Sequence, residues 1–385
     1  MHVLYLPSWY PLDENDLNGC FFREQAHVIS KLGHQVGVIS PQFRSLRLGI
    51  KAINGSYKTQ IWQDGKVVTY SKHDVFWFPK IPYLDLRRWV NAGLMLFEKY
   101  ITIHGKPDIV HVQSMLLAGP LALEIFRKYQ IPYCITEHSS TFARGLVSKW
   151  QFDVMSNVVQ HATKCLAVSQ SLVDLLEQKI IGSKWSFCPN LLDQRFTQEY
   201  RDKIKTTHTF CSVARLHPNK GFDLLLKAFS IVLETYPNIS LAIGGDGPEK
   251  ARLIGLAEKL EVQKNIIFLG ELEREQVKCL MHESRFYILS SHVETFGVVV
   301  IEALSQGTPV VATKCGGPES ILTQEDGYLV DVNNVDALVD GMKNILANSE
   351  KFNSEDIRNR CLERFSEKAF TERILNIYQV CMEKA

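Results

Sequence analysis

The sequence lacks several signals that define common protein classes. Its nine cysteines form no Cys-x-x-Cys pair, so neither a disulfide framework nor a zinc site is expected. No apolar run approaches the roughly 18 residues that a membrane span needs. The first apolar run is interrupted by Pro7 and has no basic region before it, so it does not resemble a signal peptide. We therefore expect a cytoplasmic protein.

Two signatures of metal and dinucleotide binding are also missing. The chain contains no Asp-x-Asp pair, which argues against a divalent cation held by paired carboxylates. No Gly-x-Gly-x-x-Gly follows the first predicted strand, which argues against a NAD-dependent oxidoreductase. We expect no metal, no cofactor and no nucleic-acid partner.

The 385 residues are enough for two domains, and short apolar strands alternate with helical patterns in two successive series. Such alternation predicts an α/β chain with two Rossmann-like parallel-sheet domains, whose ligand-binding edges face an interdomain cleft. We assign residues 1–192 to the first domain, 193–208 to a linker and 209–365 to the second domain. A last helix within 366–385 is expected to cross back to the first domain.

The segment from Glu294 to Glu302 carries the strongest local signal. It follows a predicted buried strand, and Gly297 begins an apolar helix. The amides of Thr295, Phe296 and Gly297 would therefore be free at a helix N-terminus, where an anion is favoured. On spacing alone, an ordinary acidic helix start explains the two carboxylates slightly better than a ligand site does.

Strand ends elsewhere in the second half carry further candidates. Arg215 and Lys220 lie in one strand-to-helix connection, where two cations can neutralise a diphosphate or simply face solvent. Gly245 and Leu269 follow or end the next two strands, where the backbone can approach a ligand. Taken singly, such glycines are most often turn residues.

In the first half, Gly19 precedes a predicted helix and His138 ends an apolar strand. Residues 41–107 mix basic and aromatic side chains, in a half that is more basic than the second. This mixture suits an anionic membrane surface or a lipid-linked acceptor, and it is also found in an ordinary loop followed by a core helix.

Together these segments resemble the family-4 retaining glycosyltransferases of the GT-B fold. The resemblance covers LPSWYP, NGCFFREQ, TEHSS and AVSQSL in the first half, and VARLHPNKG, GGDGPE, FLG, ETFGVVVIEALSQGTPVVAT and GGPES in the second. The opening segments look most like enzymes of bacterial surface-polysaccharide assembly. Nothing within 41–107 matches a specific pattern.

The resemblance implies transfer of a sugar from a nucleotide-sugar donor, with UDP favoured over GDP, to a glycan or lipid-linked acceptor. By that resemblance Arg215 and Lys220 hold the diphosphate, Glu294 the sugar hydroxyls and Glu302 the ribose. His138 and Gly19 would lie near the transferred sugar and the acceptor. The alternatives are a nucleotide-sugar epimerase on the same fold and a non-catalytic nucleotide-sugar-binding protein.

Overall fold

The computed structural model describes residues 1–13, 16, 18–53, 59–197 and 207–383. The chain forms two compact units. Unit 1 contains residues 1–168, 173–191 and 371–385, and unit 2 contains residues 169–172 and 192–370. Within the predicted linker 193–208, residues 198–206 lie outside the described residues, and so do residues 384–385 of the predicted last segment.

Unit 1 contains one eight-stranded sheet in the order β3-β4-β2-β1-β5-β6-β7-β8. All neighbouring strands are parallel except β3 and β4, which form an antiparallel pair. The strands are β1 (His2–Pro7), β2 (Gln35–Ser45), β3 (Thr59–Asp64), β4 (Val67–Phe76), β5 (Ile109–Gln113), β6 (Tyr133–Glu137), β7 (Lys164–Ala167) and β8 (Trp185–Phe187).

Unit 2 contains a six-stranded, wholly parallel sheet in the order β11-β10-β9-β12-β13-β14. Its strands are β9 (His208–Val213), β10 (Leu241–Gly244), β11 (Ile266–Gly270), β12 (Ser284–Leu289), β13 (Val310–Thr313) and β14 (Gly327–Val330). The apolar strands β10, β12 and β13 are buried because helices cover both faces of a parallel sheet. The core includes Phe210, Phe229, Ile288 and Met342.

Helices connect the strands in both units. In chain order they are α1 (Cys20–Lys31), α2 (Ile50–Ile53), α3 (Pro82–His104), α4 (Met115–Tyr129), α5 (Lys149–His161), α6 (Gln170–Lys179), α7 (Gln194–Thr197), α8 (Phe222–Thr235), α9 (Lys250–Lys259), α10 (Arg274–Glu283), α11 (Val298–Ser305), α12 (Val335–Ala347), α13 (Ser354–Phe365) and α14 (Glu367–Glu383). Tyr378 of α14 is buried within unit 1 and hydrogen-bonds to His111 over 2.8 Å.

Residues 41–107 match no specific pattern in the sequence, yet their described part contains regular structure. Strand β2 continues to Ser45, and the β3–β4 hairpin turns through Gly65, whose φ is 57°. Helix α3 then buries one face, which includes Leu86, Trp89 and Phe97. These positions follow the helical period, but the intervening basic and aromatic residues obscure the pattern.

No helix among the described residues is both long enough and apolar enough to span a bilayer.

Candidate functional site

Lys220 is placed by the turn that joins β9 to α8. It ends a short 3₁₀ turn, and Gly221 follows in the left-handed region with φ 62°. A β-carbon at Gly221 would collide with the main-chain oxygen of Ser290, just beyond β12. The glycine therefore allows the β9–α8 turn to lie directly against the end of β12.

Glu294 lies in the loop after β12, where its main chain is fixed on both sides. Its amide donates to the Cys315 carbonyl over 2.9 Å, and its carbonyl accepts from the Gly317 amide over 2.9 Å. Its Oε1 accepts from Lys220 Nζ at 2.6 Å and from Ser291 Oγ at 2.8 Å. The structure thus brings Lys220 and Glu294, predicted separately, into direct contact.

Three consecutive amides follow Glu294 at the start of α11. Gly297 adopts the left-handed conformation with φ 90°, and α11 begins at Val298 with no acidic side chain in its first turn. In the described part of the chain, the amides of Thr295, Phe296 and Gly297 have no hydrogen-bond partner. Free amides at a helix N-terminus provide hydrogen bonds and a favourable dipole for an anion.

Glu302 is buried inside unit 2, with its two oxygens in different surroundings. Oε1 accepts from Arg274 Nη2 at 2.7 Å, whereas Oε2 is buried and has no partner among the described residues. Burial raises the pKa of the Glu302 carboxyl, and the Arg274 guanidinium partly offsets that rise.

Arg274 and Asp193 were not predicted from the sequence, yet both belong to this arrangement. Arg274 Nη2 also lies 3.0 Å from Asp193 Oδ2, and Arg195 pairs with the same carboxylate at 2.6 Å. Arg274 is 28 residues from Glu302 and 81 from Asp193 in the sequence. No local motif connects positions so far apart, so only the fold could reveal them.

The remaining unit 2 candidates lie at the ends of adjacent strands. Arg215 is exposed, and its side chain has no ion pair or hydrogen bond within the described residues. Next to it, the Leu216 amide donates to the Asp246 carbonyl over 2.9 Å. The Gly245 amide donates to the Gly270 carbonyl over 2.6 Å, beside the partly exposed Leu269. The carboxyl edge of the sheet therefore presents Arg215, which is unpaired among the described residues, and a glycine-rich backbone.

In unit 1, His138 follows β6 and is held by a buried carboxylate. Glu137 accepts from the amides of His138 at 2.9 Å, Ser139 at 2.8 Å and Met115 at 2.8 Å. His138 Nε2 lies 2.7 Å from Gln113 Oε1. Burial, reinforced by His111, lowers the pKa of His138 to about 3, so its imidazole is neutral at physiological pH.

Gly19 lies close to His138 in unit 1, through an aromatic contact. It precedes α1 with φ 81°, and its carbonyl accepts from the Phe22 amide over 3.0 Å. The Phe22 ring packs edge-on against His138, with 4.9 Å between the ring centroids. A β-carbon at Gly19 would press against Trp9 and Phe22, so the glycine keeps this turn tight.

Solved structures share this fold. The Anabaena Alr3699/HepE protein, solved in complex with UDP, superposes with a TM-score of 0.73 and 17% identity over 98% of this chain and all of that one. The fold is therefore that of the GT-B glycosyltransferases.

Family comparisons identify the family. The model described as "Glycosyltransferase Family 4" matches residues 21–195, and the model "Glycosyl transferases group 1" matches residues 193–362. The chain belongs to glycosyltransferase family 4.

Two curated relatives illustrate the range of the family. A glycogen synthase of Mycobacterium tuberculosis is 27% identical over 67% of this chain, and the match spans only 64% of the relative's length. The phosphatidylinositol N-acetylglucosaminyltransferase gpi3 subunit of Schizosaccharomyces pombe is 24% identical over 91% of this chain and 75% of its own length.

Proposed function

We propose that this protein is a retaining, metal-independent glycosyltransferase that uses a nucleotide-sugar donor. One observation carries the proposal: Lys220, Glu294 and the unpaired amides of residues 295–297 meet at the carboxyl edge of the unit 2 sheet. A cation, a carboxylate and an anion-binding helix start are the groups that a sugar diphosphate needs.

The proposed reaction breaks the bond between the anomeric carbon and the diphosphate oxygen and forms one to an acceptor oxygen on the same face. The bonding electron pair leaves with the diphosphate, which can take the acceptor's proton. Negative charge therefore grows on the diphosphate in the transition state. Lys220, Arg215 and the helix N-terminus are suited to stabilise that charge, and preorganised donors of this kind contribute about 3 kcal/mol each.

The carboxylates have a different task in this proposal. The Lys220–Glu294 ion pair breaks when Lys220 pairs with the diphosphate instead. Glu294 can then accept hydrogen bonds from the sugar hydroxyls. Glu302 would accept from the ribose through its unpaired Oε2. Gly245 and Leu269 would approach the nucleotide, whereas His138 and Gly19 of unit 1 would serve the transferred sugar and the acceptor.

The donor is proposed to be a UDP-sugar, with a GDP-sugar as the alternative. The relative solved in complex with UDP supports this choice. Nothing in the comparisons supports the epimerase considered from the sequence. Thermal denaturation with UDP, GDP and their sugars tests the proposal, because ligand at 100 times its dissociation constant adds about 2.7 kcal/mol of stability. If none of these nucleotides or nucleotide sugars stabilised the protein, the proposed donor class would be contradicted.

The acceptor is proposed to be a glycan or a lipid-linked sugar of a surface polysaccharide, reached at an anionic membrane through unit 1. The support is a surface that we name the aromatic rim, which consists of the β4–α3 connection and the first turn of α3. Its large apolar residues are all exposed, with Ile81 54% exposed. They are Trp77, Phe78, Ile81, Tyr83 and Leu84.

Charge favours a membrane at the aromatic rim. Lys80 and Arg87 are exposed there. Asp85, the carboxylate of this stretch, is buried and accepts from Arg88 at 3.0 Å, so it does not cancel the positive charge at the surface. Exposed aromatic residues next to cations are typical of proteins that lie on anionic lipid.

Sedimentation with lipid vesicles tests the membrane part separately. We expect binding to vesicles that contain phosphatidylglycerol and little binding to pure phosphatidylcholine. The Trp77→Ser/Phe78→Ser variant should lose this binding, whereas the control Ile231→Ser/Ile254→Ser, at two exposed positions of unit 2, should keep it. Equal binding by both variants would contradict the role of the aromatic rim.

A further inference from the structure

Glu302 is anchored through one oxygen only. Oε1 is engaged by Arg274 at 2.7 Å, and the buried Oε2 has no partner among the described residues. A buried acceptor without a hydrogen bond is costly, and native proteins rarely leave one unmatched. Oε2 can therefore accept a hydrogen bond from a ligand hydroxyl.

Arg274 cannot turn freely to follow Glu302, because other groups hold its guanidinium. Its Nε and Nη2 lie 3.2 and 3.0 Å from Asp193 Oδ2. The guanidinium carbon lies 4.8 Å from the centre of the Phe196 ring. A planar guanidinium fixed by a carboxylate and a ring has a defined direction, which a lysine in its place would lack.

We infer that Arg274 is a positioning residue, which fixes Glu302 so that Oε2 faces the donor's ribose hydroxyls. Asp193 competes with Glu302 for the positive charge of Arg274. The inference rests on the proposed function, since the ribose contact of Glu302 is part of that proposal. It adds two residues that neither the family resemblance nor the sequence motifs assign. Asp193 is the first residue of the predicted linker.

The charges around Glu302 determine the direction of the expected effects. The groups that face it are Arg274 of α10, Asp193 and Arg195 at the start of the linker segment, and Tyr287 of β12. Burial raises the pKa of Glu302, Arg274 lowers it and Asp193 raises it again. Loss of Arg274 should therefore raise the pKa further, whereas neutralising Asp193 should lower it.

Nucleotide affinity should follow these changes, because an ionised carboxylate accepts hydrogen bonds from hydroxyls better than a protonated one. As the pH falls, Glu302 takes up a proton, and the wild type and both variants should therefore bind the nucleotide more weakly. The Arg274→Met variant should lose affinity at a higher pH than the wild-type protein. Asp193→Asn should lose it at a lower pH.

The experiment is calorimetric titration of the full chain with UDP and with GDP, from about pH 5 to about pH 9. At neutral pH we expect Arg274→Met to bind the preferred nucleotide about tenfold more weakly, the usual size for loss of one charged hydrogen bond. Arg274→Lys should recover part of the affinity. The control Arg252→Met, at an exposed arginine of α9 paired with Glu249, should bind like wild type.

Several outcomes would overturn the inference. Wild-type affinity and an unchanged pH profile in Arg274→Met would do so. If Arg274→Met does not fold, the other two variants decide: Asp193→Asn must shift the profile to lower pH, and Arg274→Lys must weaken binding. Failure of wild type to bind either nucleotide would instead reject the proposed function, and this inference with it.

Discussion

Lys220 Nζ lies 2.6 Å from Glu294 Oε1, although 74 residues separate them in the sequence. The pair joins the turn after β9 to the loop after β12, and these two strands are neighbours in the unit 2 sheet. Both side chains are partly buried, with 28% and 14% of their surface exposed. Each charge thus holds the other in place at the carboxyl edge of this sheet, beside the amides of residues 295–297.

Replacement of this lysine should impair catalysis far more than folding. We expect Lys220→Met to reduce the rate of sugar transfer by about 100- to 1000-fold, because one preorganised charge on the leaving group is lost. Thermal unfolding should change little, since partly exposed ion pairs contribute about 1 kcal/mol or less. Transfer assays and a melting curve on the same sample measure both.

A matched lysine provides the control for that experiment. Lys227 is exposed on α8 and lies 3.9 Å from Asp223, so it also forms an ion pair but lies outside the site. Lys227→Met should retain wild-type turnover. Equal turnover of Lys220→Met and Lys227→Met would remove Lys220 from the diphosphate site.

The free energy of unfolding should fall at acid pH because His138 is buried in its neutral form. The pKa of His138 is lowered to about 3 in the folded protein and is near 6.5 in an unfolded chain. Between these values the unfolded state binds the extra proton, so stability is full above about pH 6.5 and falls as the pH drops. The expected loss is about 1.4 kcal/mol per pH unit for each such group.

Urea unfolding of wild type and His138→Gln at about pH 7 and about pH 5 isolates this contribution. Between these two pH values the free energy of unfolding should fall less for the variant than for the wild type. The difference should equal the stability that the wild type loses because His138 binds a proton when it unfolds. Other titrating groups cancel in the difference, because they are shared. Parallel losses in the two proteins would show that His138 is not buried in its neutral form.

A single methyl group at Gly221 should disturb the site through the backbone. The left-handed conformation and the collision with the Ser290 oxygen should destabilise Gly221→Ala by about 1–3 kcal/mol. It should also lower activity, because Lys220 is the adjacent residue. Chemical denaturation and turnover assays test the two effects.

Gly255 offers the opposite case within α9. A β-carbon there meets nothing within 4 Å, and the residue lies in a helix interior. Gly255→Ala should therefore gain about 0.5–1 kcal/mol and leave activity unchanged. A loss of stability at Gly255 comparable with that at Gly221 would show that the local conformation does not explain the effect.

Removal of divalent cations should leave the reaction intact. In the proposed mechanism Arg215, Lys220 and the amides of residues 295–297 stabilise the diphosphate, in place of a metal ion. We expect full transfer activity in excess chelator after extensive dialysis. A strict requirement for added Mg²⁺ or Mn²⁺ would contradict this part of the mechanism.

The sequence predicted the fold class because apolar period and turn residues are local signals. The helix expected after Gly19 is α1, with Gly33 beyond its end at φ 87°. The expected start of α11 at Gly297 agrees with the structure to one residue. Both boundaries depend on a left-handed glycine, which is visible in the sequence.

The contacts within the site were less predictable, since they depend on which strands become neighbours. Arg215 was predicted as one of a pair with Lys220, yet only Lys220 contacts Glu294. The environment of Glu302 depends on Arg274 and Asp193, which approach from distant segments. Long-range register and side-chain pairing are set by tertiary packing, so they leave no trace in local patterns.

The Glu137 carboxylate joins the turn after β6 to the first residue of α4, because it accepts amides from both. A substitution at Glu137 should release the loop that carries His138, because three main-chain amides would lose their acceptor. A mutational screen for activity would then show a loss at Glu137 that resembles the loss of a catalytic residue. Hydrogen exchange at the Ser139 amide would distinguish loss of loop structure from loss of a catalytic group.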